Sequence, residues 1–229
     1  MIRVGTYNVR SMYDDTAALA RVITTMAPDL LCVQEAPRFT GWRGARERLA
    51  RSAGLRPVTG RRLGGVAVLA GPRTRVIHAE SHPLRAFTGL ERRAVAIAVA
   101  EHAGTRLTVA SVHLDLHAGA RLCHAGEIMG LAGAVADRFG APLVVAGDVN
   151  ERPGGPVWGY LTRGLADCYL IAPSGDGRTF PARRPESRLD VVLADPALAV
   201  RSCGGVAADP ADLRAATDHL PVIADLTAT

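Results

Sequence analysis

The stretch Leu143-Val144-Val145-Ala146-Gly147-Asp148-Val149-Asn150 decides how this chain is read. Its first four residues are apolar with no alternation, the pattern of a strand buried on both faces, and such strands belong to parallel sheets covered by helices. The run then breaks into polar groups at Asp148 and Asn150. Upstream, Ala118–Phe139 reads as a helix with Leu122, Ile128, Met129, Leu131 and Val135 among its apolar positions, and Leu107–Leu114 reads as the strand before it. Strand, helix, strand in this order is a right-handed crossover between parallel strands. The pattern recurs at the start of the chain: strand Ile2–Asn8, helix Asp14–Met26 with Asp14 or Asp15 as cap and Pro28 as stop, strand Leu30–Glu35. Parallel strands end on a common edge, where α/β sheets collect polar ligand groups. Asn8 and Glu35 should therefore share one edge, and His113 and Asp148 another. Two such units pressed face to face would gather all four into one cleft.

Further strands are read at Gly65–Ala70, Ala94–Ala100, Leu189–Leu193 and Leu220–Asp225, a third helix near Trp42–Ala53, and a loop over Pro173–Ser187. The chain has 229 residues, 48% hydrophobic and 21% charged, an ordinary globular composition read as one domain over residues 1–229. At this length about 70% of the unfolded surface can be buried, so no disulfide framework is required. Cys32, Cys123, Cys168 and Cys203 are scattered without a CxxC pair, which removes zinc-site spacing and suggests reduced thiols in the cytoplasm. No uncharged stretch exceeds ten residues, so no membrane span is expected, and the opening MIRVGTYNV reads as a strand and not as a secretory leader. A monomer is the expected state.

The formal charge is +5, and all 27 basic residues are Arg. Ten of them fall in residues 38–75 with a single acid, Glu47. Such a basic segment is either a polyanion-binding surface or a solvated helix face carrying Arg43, Arg46, Arg48 and Arg51.

Several short motifs could carry chemistry. In GDVN, a carboxylate and a carboxamide with one residue between them point to the same side of an extended chain and suit water activation, although Asp and Asn also make caps and turns. In TDHLPV, Asp218 can hold a divalent cation and His219 can meet a phosphoryl oxygen or carry a proton. In RLDVVL, Asp190 enters a strand facing inward and needs a partner; His219 is the natural one, with an Arg as the commonplace alternative. Asn8 and Glu35 are hard oxygen donors of the type Mg²⁺ prefers. SVHLD sets His113 and Asp115 on one strand face. His78, His82, His102, His117 and His124 fit no constellation, and Asp167, Asp225 and Glu101 read as ordinary surface acids. No GxxxxGK[ST] loop, GxSxG elbow or HExxH pair is present.

Taken in order, TYN, QE, HLD, GDVN, RLDVVL and TDHLPV resemble the endonuclease/exonuclease/phosphatase superfamily, with its deoxyribonuclease I-like fold, in the form of its small bacterial members. The ordered set runs from Asn8 to His219. The resemblance implies an α/β four-layered sandwich of two mixed β-sheets flanked by helices, and phosphoester hydrolysis that depends on Mg²⁺ or Mn²⁺. It implies metal-site roles for Glu35, Asn8 and Asp218, and catalytic roles for His113, Asp148, Asn150, Asp190 and His219. Arg92 and Arg93, opening the strand Ala94–Ala100, are candidates to grip substrate phosphate. Thr179-Phe180-Pro181 resembles a substrate-side loop. Two departures stand out: Val149 replaces the usual Phe, and Arg10 stands where apurinic-site endonucleases carry an Asp.

Three functions follow as expectations. A phosphodiesterase or nuclease on DNA or RNA is favoured by the basic segment. A phosphatase or phosphodiesterase on a small metabolite, nucleotide or lipid is favoured by the short chain. A non-catalytic binding protein on the same fold is disfavoured, because all matched positions but Arg10 keep competent residues.

Overall fold

The computed structural model describes residues 1–60 and 62–228; Arg61, one of the ten arginines of the basic segment, lies outside them. The first half of the chain forms β1 (Ile2–Asn8), α1 (Thr16–Met26), β2 (Leu30–Gln34), α2 (Trp42–Ser52), β3 (Arg56–Thr59), β4 (Ala67–Ala70), β5 (Arg75–Pro83), β6 (Ala94–His102) and β7 (Thr105–His113). The second half forms α3 (Ala118–Phe139), β8 (Leu143–Asp148), α4 (Pro156–Leu161), β9 (Ala166–Asp167), α5 (Cys168–Ile171), β10 (Pro173–Ser174), β11 (Asp190–Ala194), β12 (Leu198–Gly204), α6 (Pro210–Ala216) and β13 (Val222–Ala228). One sheet has the order β10-β12-β13-β1-β2-β4-β3, the other β5-β6-β7-β8-β11-β9.

Both crossovers are as the sequence implies. β1 and β2 are parallel with Asn8 opposite Gln34, and β7 and β8 are parallel with His113 opposite Asp148. The remaining neighbours of these pairs are antiparallel, so both sheets are mixed.

Side-chain size on alternate positions sets the layers. On β6, Ala94, Ala96, Ala98 and Ala100 face the other sheet, while Val95, Ile97 and Val99 face α3 and α4. Small residues let the two sheets approach, and larger ones fill the sheet–helix layer. On β8, Val144 and Ala146 join the core between the sheets and Leu143 and Val145 the helix side, which is why that strand has no polar residue until its end. A third core lies beneath α1 and α2, built on Leu19, Val22, Ile23, Leu31 and Leu69. The result is helices, sheet, sheet, helices.

Local chemistry fixes the element ends. Asp15 caps α1 by accepting from the N–H groups of Ala17 (2.8 Å) and Ala18 (3.0 Å), and Ala27, in the left-handed region just before Pro28, closes it. β4 begins at Ala67, later than its apolar run, because Leu63–Gly65 form a tight turn with Gly64 at φ 73°. β5 and β12 escape the sequence reading: both are half-buried, and their charged and polar positions blur the period of two. The span read as loop, Pro173–Ser187, holds the short β10 and a bridge between Phe180 and Ser187. All four cysteines are free thiols.

Two surface assignments change. Asp167 accepts two hydrogen bonds from Arg188, each 2.9 Å, and Asp225 accepts two from Arg3, at 2.7 and 2.9 Å. Both carboxylates are buried, paired with arginines 21 and 222 residues away, so no local pattern could reveal the pairing. Arg46 also leaves the solvent face assigned to it. It is 6% exposed, donates to the carbonyl oxygens of Pro37 (2.9 Å), Gly60 (3.1 Å) and Ala36 (3.5 Å), and lies over the Trp42 ring. Arg46→Ala should cost about 2–4 kcal/mol in a denaturant titration, because it strands buried carbonyls, while the exposed Arg48→Ala should stay within about 0.5 kcal/mol.

Candidate active site

The site is the polar end of the core between the sheets. Along β1, the residues facing that core run Ile2, Val4, Thr6, Asn8; along β8 they run Val144, Ala146, Asp148; along β11, reading back, Ala194, Val192, Asp190. β8 and β11 are apolar until their last inward position, and β1 turns polar over its last two, Thr6 and Asn8. β11 lies antiparallel to β8 with Asp190 opposite Asp148, so His113, Asp148 and Asp190 form one rung across three strands. Asn8 approaches from the other sheet and donates its Nδ2 to Asp148 Oδ2 (3.1 Å) and to Glu35 Oε1 (3.0 Å). A further bridge lies beneath: Thr6 donates to Gln34 Oε1 (3.0 Å), and Gln34 Nε2 donates to Ser111 of the second sheet (3.3 Å).

Backbone strain redirects two groups. Regular alternation would turn Glu35 away from Gln34, toward the helices; instead Glu35 takes φ 48° and lines the cleft. Asn150 takes φ 49°, so it meets Asp148 through a turn and not through the extended geometry expected from GDVN. Its N–H donates to Asp148 Oδ1 (2.9 Å), and its Nδ2 donates to the Leu114 carbonyl (3.0 Å). Gly147 is required by close approach: a Cβ there would run into the Val112 carbonyl oxygen of β7.

His219 Nδ1 is 2.8 Å from Asp190 Oδ2. A carboxylate only accepts, so Nδ1 carries the proton and Nε2 is turned to Asp148 Oδ2, 3.6 Å away. The Phe180 ring packs on the imidazole at 4.8 Å, after which the Phe180–Pro181 peptide is cis. The Thr217–His219 segment is held by Thr217 donating to the Asn8 carbonyl (3.0 Å) and by the Ala182 N–H donating to the Asp218 carbonyl (2.7 Å).

Burial and crowding set the charges. Asp148 is 1% exposed, and desolvation together with the nearby Asp190 pushes its pKa up to about 7, against the pull of His219 and two hydrogen bonds. Burial disfavours a charged His219, but Asp190, Asp148 and Asp218 outweigh it and raise the imidazole to about 9. His113 goes the other way: burial first, then Arg93, His219 and Arg38, hold it well below its usual value, so it is neutral. Its Nε2 is 3.6 Å from Asp148 Oδ2.

A cavity of about 440 Å³ opens over this constellation, lined among others by Glu35, Arg38, Arg93, His113, Asp148, Asn150, Asp218 and His219. Of the residues expected from sequence, Arg93 lies in the cleft wall and Arg92 is exposed on an adjoining hollow. Arg38 and Glu91 also line the cleft and were not singled out; no period or motif marks them, since both sit in loops. Asp115 is buried beside Arg93, 3.6 Å from its Nε. His78, His82, His102, His117 and His124 lie outside the cleft lining.

The donors suit a hard divalent cation. Glu35 presents a carboxylate to the cleft, and one ligand atom each of Asp148, Asp190 and His219 lies within 4.8 Å of the others. Asp190 is already the hydrogen-bond partner of His219, which leaves that trio better suited to orienting water than to encircling a metal. Two expected ligands are otherwise engaged. Asn8 turns its Oδ1 to the Arg10 N–H (3.1 Å) and bridges carboxylates with its amide, so it supports the site from behind. Asp218 lies 3.4 Å from the Arg10 guanidinium.

Residues 5–219 match the model of the Endonuclease/Exonuclease/phosphatase family. No curated protein matches the sequence significantly. Among solved structures, a functionally unknown conserved protein from Enterococcus faecalis superposes with TM-score 0.83 at 20% identity, each chain covered in full. An endonuclease/exonuclease/phosphatase from Bacteroides vulgatus gives TM-score 0.83 at 18% identity, covering 100% of this chain and 99% of that one. A mannosyl-6-phosphatase from Bacteroides thetaiotaomicron gives TM-score 0.82 at 17% identity, covering 99% of this chain and all of that one. At these identities the likeness is one of fold.

Proposed function

Because the chain belongs to the endonuclease/exonuclease/phosphatase family, we propose that it is a divalent-cation-dependent hydrolase of a phosphoester on a small phosphorylated molecule. The observation that carries this reading is the convergence of Glu35 from one sheet with His113 and Asp148 from the other, and with His219, on one cleft, Asp190 holding His219 from behind. Mg²⁺ or Mn²⁺ held at Glu35, with Asn8 behind it, would supply positive charge to the phosphoryl oxygens and leaving group. Asp148 takes the proton of the attacking water; burial keeps it basic enough for the task near neutral pH. Asn8 and the Asn150 N–H fix the direction of that carboxylate, so little orientation is left to be lost during reaction. His219, locked by Asp190, and neutral His113 offer N–H or cationic contacts to phosphoryl oxygens, and Arg93 adds charge from the wall.

The small-substrate reading rests on where the arginines of residues 38–75 go. Arg46 and Arg56 donate to backbone carbonyls, Arg75 pairs with Glu101, and of the described ones Arg38 alone lines the cleft. The fold also accommodates a phosphatase of this substrate size in the Bacteroides thetaiotaomicron mannosyl-6-phosphatase. A second reading, a nuclease, is favoured by the exposed Arg43, Arg48 and Arg51 along α2.

Two measurements test this. Chelation with EDTA should take hydrolysis of a small phosphoester panel to background, and Mg²⁺ or Mn²⁺ should restore it; activity that survives chelation contradicts the metal dependence. With metal present, small esters should turn over faster per phosphate than DNA or RNA. The reverse order, with steep salt dependence, would favour the nuclease.

A further inference from the structure

The cleft continues past Arg38. An outer hollow of about 510 Å³ shares Arg38, Gly64 and Glu91 with it and is otherwise lined by Phe39, Arg62 and Arg92. Arg38 Nη2 donates to Glu91 Oε1 at 2.7 Å, and Arg93 Nη1 stands 3.9 Å from the other Glu91 oxygen. Arg62 Nε donates to the Arg38 carbonyl (2.8 Å), which ties the hollow to the same loop. Two guanidiniums thus face one carboxylate, and Arg62 and Arg92 line the same hollow. Arg93 is 6% exposed; its Nε is buried and makes no hydrogen bond, with the buried Asp115 carboxylate standing 3.6 Å away. A buried guanidinium is strongly favoured to find oxygen acceptors. Glu91 is more than half exposed, so it can yield its place at Arg38 and Arg93 without uncovering core.

We propose that this junction and the outer hollow form a second anion subsite. The substrate class is a phosphorylated compound whose leaving portion carries a further anionic group, a phosphate or a carboxylate. The assignment of the inner cleft as the end that is cleaved rests on the phosphoester reading above; the subsite itself rests on the arginine cluster. Arg38 and Arg93 exchange Glu91 for the incoming anion, Arg62 and Arg92 flank it, and the 58%-exposed Phe39 offers an apolar face beside it. Arg92, suggested from sequence as a phosphate contact, thereby contacts the distal anion and not the one undergoing hydrolysis.

Titration calorimetry in metal-free buffer tests this with two pairs of probes: methylphosphonate against methylenediphosphonate, and propylphosphonate against propane-1,3-diphosphonate. At least one diphosphonate should bind about 10- to 100-fold more tightly than its monophosphonate, the range expected when charge-assisted hydrogen bonds are added. Arg38→Gln and Arg92→Gln should each remove most of that ratio, with Arg92→Gln changing the monophosphonate less than about twofold. Glu91→Gln should tighten diphosphonate binding. Ratios near one in the parent protein overturn the proposal. So does an Arg38→Gln variant that weakens mono- and diphosphonate equally, since Arg38 would then grip the reacting phosphoryl group. A parallel turnover assay keeps the two claims apart. No hydrolysis with the ratio intact rejects the enzyme reading and leaves the subsite; hydrolysis with no ratio rejects the subsite alone.

Discussion

Asp148→Asn should lower turnover of any phosphoester substrate by about 100- to 10,000-fold, the usual worth of a general base. The side chain keeps its shape and can still accept the Asn150 N–H at Oδ1, although its amide nitrogen then meets the Asn8 Nδ2 and that bond is lost; the loss of turnover belongs to proton transfer and not to collapse of the turn. The fold should not suffer. Burial and Asp190 both disfavour an ionised Asp148, whose folded-state pKa is therefore above that of the unfolded chain. Such a group costs stability progressively as pH rises from the ordinary carboxylate range toward neutrality, and none below it. At pH 7 to 8 the neutral Asn escapes that cost, which offsets the lost Asn8 bond, so its thermal midpoint should stay near the parent's. Steady-state rates and calorimetric melting at one pH check both halves. A variant that keeps half its activity, or that melts well below the parent, contradicts the assignment.

The second large effect is expected from Asp190→Asn. In the proposed mechanism Asp190 touches no substrate and acts through His219, whose Nδ1–H it accepts at 2.8 Å. An amide at this position can present N–H to the ring, which would make Nδ1 an acceptor and withdraw the support that Asp190 gives to the cationic ring. Loss of tautomer control in an aspartate–histidine pair has cost up to about 10,000-fold elsewhere, and 100-fold or more is expected here. The variant also removes the main positive influence on the His219 pKa, so the imidazole should titrate lower by NMR. A purely structural role would lower activity and stability together and leave the His219 titration unmoved. An unchanged pH profile and near-parental turnover would remove Asp190 from the mechanism.

Much of this was legible because the site is built on strand ends. Apolar runs that stop at Asn8, His113 and Asp148 announce both the strands and the edge at which polar groups collect. The Asp190–His219 pairing was inferable from a carboxylate facing inward in an apolar strand. What period-two reasoning could not supply was the redirection of Glu35 and Asn150 by left-handed backbone, since alternation alone points Glu35 to the wrong side. Nor could it locate Arg46. A count of charges treats all arginines alike, and only the tertiary fold shows that this one binds carbonyls in the interior. Arg38 and Glu91 were invisible for a third reason: they come together across 53 residues from two loops without periodic signal.

The hydrogen bond from Asn8 to Asp148 joins residues carried by different sheets, and the Thr6–Gln34–Ser111 bridge spans the same gap one layer down. The proposed hydrolysis would therefore need the sandwich shut as well as folded. A breathing motion that parts the layers by an ångström or so would silence the protein while every helix and strand persisted. In mild denaturant, inactivation should run ahead of any change in circular dichroism, with the gap between the two curves reporting how tightly the halves are latched.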